Sequence, residues 1–130
     1  MTIDLSFDLE TLGIAENAVI LEIGAVEFDP RGNDTVDDLL DRSVRFALPI
    51  QSQLDAGRIV DGSTICWWVQ QPNAGRLFEW IDTLQKGGGH QHYSSAVDVL
   101  REWLTRHFDS VEGLPLPCAW ANSPSFDTEI

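Results

Sequence analysis

Two carboxylates stand two residues apart near the start of the chain, Asp8 and Glu10 in the run Phe7-Asp8-Leu9-Glu10-Thr11-Leu12-Gly13. The residues leading into them alternate, with Ile3, Leu5 and Phe7 set against Asp4, Ser6 and Asp8, which is the period of a β-strand. Strand positions i and i+2 face the same side, so both carboxylates project together from the strand's end. Neighbouring carboxylates repel and raise one another's pKa unless a cation lies between them. Mg2+ or Mn2+ suits such a pair, because hard cations prefer carboxylate oxygen. The bare Asp-x-Glu pattern also describes many solvated strand ends, so its meaning depends on its company.

That company is extensive. The first run is followed by Ile20-Leu21-Glu22-Ile23-Gly24-Ala25-Val26-Glu27-Phe28 and, far downstream, by Trp120-Ala121-Asn122-Ser123-Pro124-Ser125-Phe126-Asp127. Together these segments resemble the DEDD, or DnaQ-like, superfamily of 3′–5′ exonucleases. The first run is similar to that family's first exonuclease motif, and Asn-x-x-x-Phe-Asp to its second. The middle of the chain, Asp55-Ala56-Gly57-Arg58 and then Thr64-Ile65-Cys66-Trp67-Trp68-Val69-Gln70-Gln71, resembles the branch that contains phage exonuclease A and related bacterial exoribonucleases.

The resemblance carries definite implications. It implies an α/β, ribonuclease H-like fold: a mixed sheet of three antiparallel strands and then a parallel one, flanked by helices. It implies a two-metal site for Mg2+ or Mn2+ with Asp8, Glu10 and Asp127 as ligands and catalytic residues. The two ions would activate a water and stabilise the departing 3′ oxygen. Thr11 and Leu12 match positions that hold the 3′-terminal nucleotide, although a turn residue and a core leucine are the plainer reading. Asn122 and Phe126 match the second motif, where Phe126 either stacks on a base or packs the start of a helix. Trp68 is a candidate wall of the substrate cleft, set against the reading that Trp67 and Trp68 are one core and one half-buried residue. The partner implied is a single-stranded RNA or DNA 3′ end, and a homodimer is among the assemblies that related enzymes form.

The elements that must position these residues follow from pattern. Val19–Phe28 reads as a second strand, Asp29-Pro30-Arg31-Gly32-Asn33 as a turn, and Ser43–Leu48 as a third strand ended by Pro49, giving an antiparallel meander. Gln51–Gly57 suits a short helix or turn, and Ser63 or Thr64 can cap a segment through Trp67 and Trp68 to Gln71. Asn73–Lys86 and Ser95–Phe108 have helical spacing, the second with Ser95 and Asp98 as a capping box. Cys118–Ala121 reads as a short strand, and a helix begins near Ser123–Ser125. The acid-rich stretch Asp34–Asp41 reads as an amphipathic turn or loop with a solvated face, and His90-x-His92 as a surface loop. Cys66 and Cys118 read as buried free thiols.

Composition bounds the rest. With 130 residues, 43% apolar content and five tryptophans, the chain is expected to form one globular domain over residues 1–130. No window reaches the apolar length of a membrane span and no leader pattern opens the chain, so a cytoplasmic protein is expected. Charge points the other way from nucleic acid: 21 acids against 8 bases give a formal −13. An acidic protein meets a polyanion only through bound cations, a local basic patch or further residues, and metal ions between the carboxylates supply the first of these.

Members of the resembled family also carry a third motif, a His or Tyr general base followed by a fourth acidic ligand. His90, His92 and His107 all precede the second motif and cannot be that base. The exonuclease domain is therefore expected to be incomplete at its C-terminus, and the 130-residue chain to bind metal weakly and hydrolyse poorly alone. The alternative is a catalytically inactive binding module or fragment with the exonuclease fold.

Overall fold

A computed structural model describes residues 3–72, 74–85, 93–109 and 119–121. It is an α/β structure around a sheet of order β3-β2-β1-β4. Strand β1 (Asp4–Thr11) pairs antiparallel with β2 (Ile20–Phe28), and β2 with β3 (Ser43–Ala47). The segment Ala119–Trp120, β4, pairs with β1 in parallel, Leu5 opposite Ala119 and Ser6 opposite Trp120. Trp120 reaches across this seam, donating its indole N–H to Asp4 Oδ2 at 2.8 Å. The first strand runs further than its alternation suggested. It carries Asp8 and Glu10 inside its length and ends at Thr11.

The turns are built from side chains that accept backbone protons. After β2, Asp29 accepts from the Arg31 amide and from Asn33 Nδ2, and these bonds hold its carboxyl below the usual range. Gly32 takes φ of 77°, a left-handed conformation that favours glycine. The next acidic stretch forms a short helix, α1 (Val36–Asp41), where a turn or loop was expected. Thr35 and Asp38 cap it reciprocally, which satisfies its first amides locally, and none of its residues is buried.

Helix α2 (Ile50–Asp55) supplies one residue to the interior, Gln53, which is 1% exposed. Its amide brackets Ile20, accepting from the Ile20 N–H at 2.9 Å and donating to the Ile20 carbonyl at 2.8 Å. Helix α3 (Gly62–Gln70) starts one residue after Asp61, whose side chain accepts from the Ser63 amide. The cap is thus Asp61 and not Ser63 or Thr64, because Asp61 stands where the chain is still extended. Helices α4 (Gly75–Gln85) and α5 (Tyr93–Asp109) follow. Ser95 lies inside α5, so the capping box expected of it with Asp98 is not the start of that helix.

Two apolar clusters hold the layers together. Leu12, Val19, Leu21 and Trp68 form one, with Ile50, Val60 and Ile81 against it; Ile20, Ile23 and Leu48 form the other, with Leu9, Phe46 and Leu100. The β1–β2 register shifts between Glu10 and Thr11, where Glu10 faces Glu22 but Thr11 faces Ile20. Neighbouring Ile20 and Leu21 enter different clusters because successive strand residues face opposite sides, and the bulge itself lies beside the carboxylates. Among the described residues no helix is long and apolar enough to cross a membrane.

Candidate active site

The paired register sets the rows of the site. Directly opposed residues of antiparallel strands share a face, so Asp8, Gly24 and Arg45 form one row and Glu10, Glu22 and Ala47 the next. Asp8 is exposed and Glu10 half-buried on the strand's polar face. The two carboxylates expected to act together are therefore brought together. Gly24 lies opposite Asp8 in open space, where a Cβ built on its backbone meets nothing within 4 Å.

Electrostatics in these rows is unbalanced. Burial, and then the nearby Asp8 carboxylate, push the Glu10 pKa above its ordinary value; Glu22 adds to this and Arg76 opposes it. Glu22 is itself buried, at 7% exposure, and meets Arg45 Nε at 2.6 Å and Arg76 Nη2 at 4.0 Å. Sequence reasoning assigned none of these three residues a role. The signal that could have found them was Glu22 itself, one of two charged residues in a mostly apolar strand, where a buried charge demands a partner.

Beside Glu10 lies a recess of about 460 Å³, walled by Leu9, Thr11, Gly13, Ile14 and the first turns of α3. Its position depends on one long-range bond. Trp68 is 5% exposed and donates its indole N–H to the Thr11 carbonyl at 2.9 Å, pinning α3 to the end of β1. Thr11 is buried as well, its hydroxyl donating to the Gly13 carbonyl at 2.7 Å. Gly13 suits a close approach here, since a Cβ on it would stand 3.0 Å from that of Ala18. Asp61 donates its amide to the Leu12 carbonyl at 2.8 Å, so α3 is tied to this turn twice.

The substrate candidates separate accordingly. Thr11 and Trp68 touch the recess, but Trp68 does so as a core residue, and Leu12 belongs to the same core. The exposed aromatic wall is Trp67, which sequence reasoning passed over; it is 53% exposed and packs edge-on against Trp68, ring centroids 5.1 Å apart. A pair of tryptophans at i and i+1 on a helix points in different directions, so one is buried and one is left out. Cys66, expected to be buried, is exposed on α3. Asn122, Phe126 and Asp127, with Cys118, His90 and His92, lie outside the described residues. Strand β4 just before Asn122 runs in the direction of β1, toward the end that bears Asp8 and Glu10. Among the described residues no three His, Cys, Asp or Glu side chains converge closely enough to hold a metal ion.

Comparison with known proteins places the chain among exonucleases by sequence. The chain is 33% identical over 70 residues to an exodeoxyribonuclease of Enterobacteria phage T4, a stretch that covers 52% of this chain and 30% of the phage protein. Residues 3–130 match the family model of the Rv2179c-like domain, described as a 3′–5′ exoribonuclease domain. A match over nearly the whole chain assigns the family: this protein belongs to the Rv2179c-like 3′–5′ exoribonuclease domain family.

Proposed function

We propose that this protein is a divalent-metal-dependent 3′–5′ exonuclease with a ribonuclease H-like fold, removing nucleotides from single-stranded RNA or DNA 3′ ends. The observation that carries the reading is the placing of Asp8 and Glu10 on one sheet face, in mutual repulsion, beside a recess open to solvent. A carboxyl pushed up by burial and by a neighbouring carboxylate is one that a hard cation would relieve, so the donor set fits Mg2+ or Mn2+. Asp8 and Glu10 are the proposed ligands, and Asp127 the third. Such ions would supply a nucleophile at neutral pH and charge neutralisation at the phosphate.

The chain's own residues do the rest. Glu10, half-buried, lines the recess, while Asp8 is exposed to solvent. Thr11 and Trp67 line the space proposed for the terminal nucleotide, and Leu12 and Trp68 support it from the core. Asn122 and Phe126 are the proposed contacts from the second motif. An exposed indole offers a stacking face that every base can use, which suits an enzyme that must accept each nucleotide in turn.

The test is end-labelled substrate. The full natural protein, given Mn2+ or Mg2+ with single-stranded RNA and DNA oligonucleotides, is expected to shorten 5′-labelled strands stepwise. From 3′-labelled strands it is expected to release the label at once as a mononucleotide. Internal cleavage, or no shortening of either sugar, overturns the reading.

A further inference from the structure

The chain's formal charge of −13 leaves it only 8 lysines and arginines with which to meet a polyanion. Two of those eight, Arg45 and Arg76, come from distant parts of the sequence to the same carboxylate, Glu22. Arg45 arrives from β3 and Arg76 from the first turn of α4. Glu22 is the cross-strand neighbour of Glu10, and Arg45 shares the row of Asp8 with only Gly24 between them. Strands lie about 4.8 Å apart, so the backbone of Arg45 is roughly 10 Å from that of Asp8, a distance that an extended single strand leaving the carboxylates can span.

Both guanidinium side chains remain accessible: that of Arg45 is 58% exposed and that of Arg76 43%, against 9% for Glu22. A guanidinium carries five N–H donors in a planar fork, so one group can hold a carboxylate and a phosphate together. Two arginines thus stand within 4.0 Å of one buried glutamate, at 2.6 and 4.0 Å.

We propose that Arg45 and Arg76 form a phosphate seat for the substrate strand, gripping the phosphodiesters next to the one that is cut. The proposal rests on the exonuclease reading and adds to it where the strand runs: away from the recess, across β2 toward β3. A phosphate seat built on arginines also explains how so acidic a chain holds single-stranded nucleic acid, because two guanidiniums stand where the strand must pass.

The experiment is fluorescence anisotropy of labelled single-stranded RNA and DNA decamers with the full natural protein in Ca2+, repeated over a range of salt. Arg45→Ala and Arg76→Ala are each expected to weaken decamer binding about fivefold. Each is also expected to flatten the slope of log K against log salt by about 0.7, the change that follows when one phosphate of a single strand is no longer neutralised. Arg45→Lys keeps the charge and is expected to restore the slope. If Arg45→Ala unfolds, Arg45→Gln retains a donor for Glu22 and is expected to flatten the slope equally. Unchanged slopes in folded variants overturn the seat. If the wild-type protein nevertheless shortens 5′-labelled strands in Mn2+, the exonuclease reading stands without it; a wild-type protein that neither binds nor shortens them overturns both.

Discussion

Trp68 donates its indole N–H to the main-chain carbonyl of Thr11, 57 residues earlier, and so fixes helix α3 against the end of the strand that carries Asp8 and Glu10. Both groups are buried, which makes the bond costly to leave unmade. Trp68→Phe keeps most of the apolar volume and strands the Thr11 carbonyl. It is expected to lower stability by about 1–3 kcal/mol in urea denaturation. Trp68→Ala adds a cavity and is expected to cost about 3–5 kcal/mol. A Trp68→Phe variant as stable as wild type would show that the bond does not hold the site.

Trp67 should behave oppositely. Its ring is more than half exposed, so Trp67→Ala is expected to change stability by less than about 1 kcal/mol. It should instead raise KM for oligonucleotides by about tenfold or more, the usual cost of removing a base-stacking platform. The two measurements, denaturation and steady-state kinetics, separate the neighbours; equal effects on stability would contradict the assignment.

The sequence reading was strongest where pattern is local. Alternation and continuous apolar runs located β1, β2 and β3, and the carboxylate pair followed from a spacing of two on a strand. It failed where a partner distant in sequence decides. Nothing local distinguishes Trp67 from Trp68, since the choice rests on Thr11 offering a carbonyl. Gln53 looked like one more polar residue in a short helix, yet it is buried and completes the hydrogen bonding of Ile20 beside the bulge. The cap of α3 was misplaced for a related reason: Asp61, its amide bound to the distant Leu12 carbonyl, is still extended just before the helix and takes the role given to Ser63 and Thr64. Arg45 and Arg76 are 31 positions apart in sequence, counting from 45 to 76, and only the fold brings them to Glu22.

Gln53 supplies a further prediction. Gln53→Ala leaves the N–H and carbonyl of Ile20, a buried residue, without their side-chain partners. A loss of about 2–4 kcal/mol is expected by thermal or urea denaturation. Divalent-ion affinity of the folded fraction should be unchanged, since Gln53 lies in α2 and not on the row of Asp8 or Glu10. A variant that stays fully stable would contradict the role.

Glu10 predicts a pH dependence. Its folded pKa is raised by burial and by Asp8, so ionised Glu10 costs the metal-free protein stability. That cost is complete above the folded pKa and fades as pH falls through it toward the ordinary carboxyl value. Glu10→Gln is therefore expected to raise Tm in chelator at neutral pH, with the gain shrinking as the solution is acidified. Added Mn2+ should reverse the order, stabilising wild type more than the variant. A variant that melts below wild type in chelator at every pH would contradict the electrostatic account.

The claim on which most depends is that Asp8 and Glu10 bind the ion that serves hydrolysis. The measurement that tests it most directly is nucleotide release from a 5′-labelled single strand by the full natural protein, followed across an Mn2+ titration for wild type and Asp8→Asn. Asp8→Asn keeps the shape of an exposed side chain and removes its charge, so the fold should survive. The account predicts Mn2+-dependent shortening from the 3′ end by wild type and a loss of at least about 100-fold in Asp8→Asn. Shortening by Asp8→Asn at the wild-type rate and the same Mn2+ dependence would contradict it.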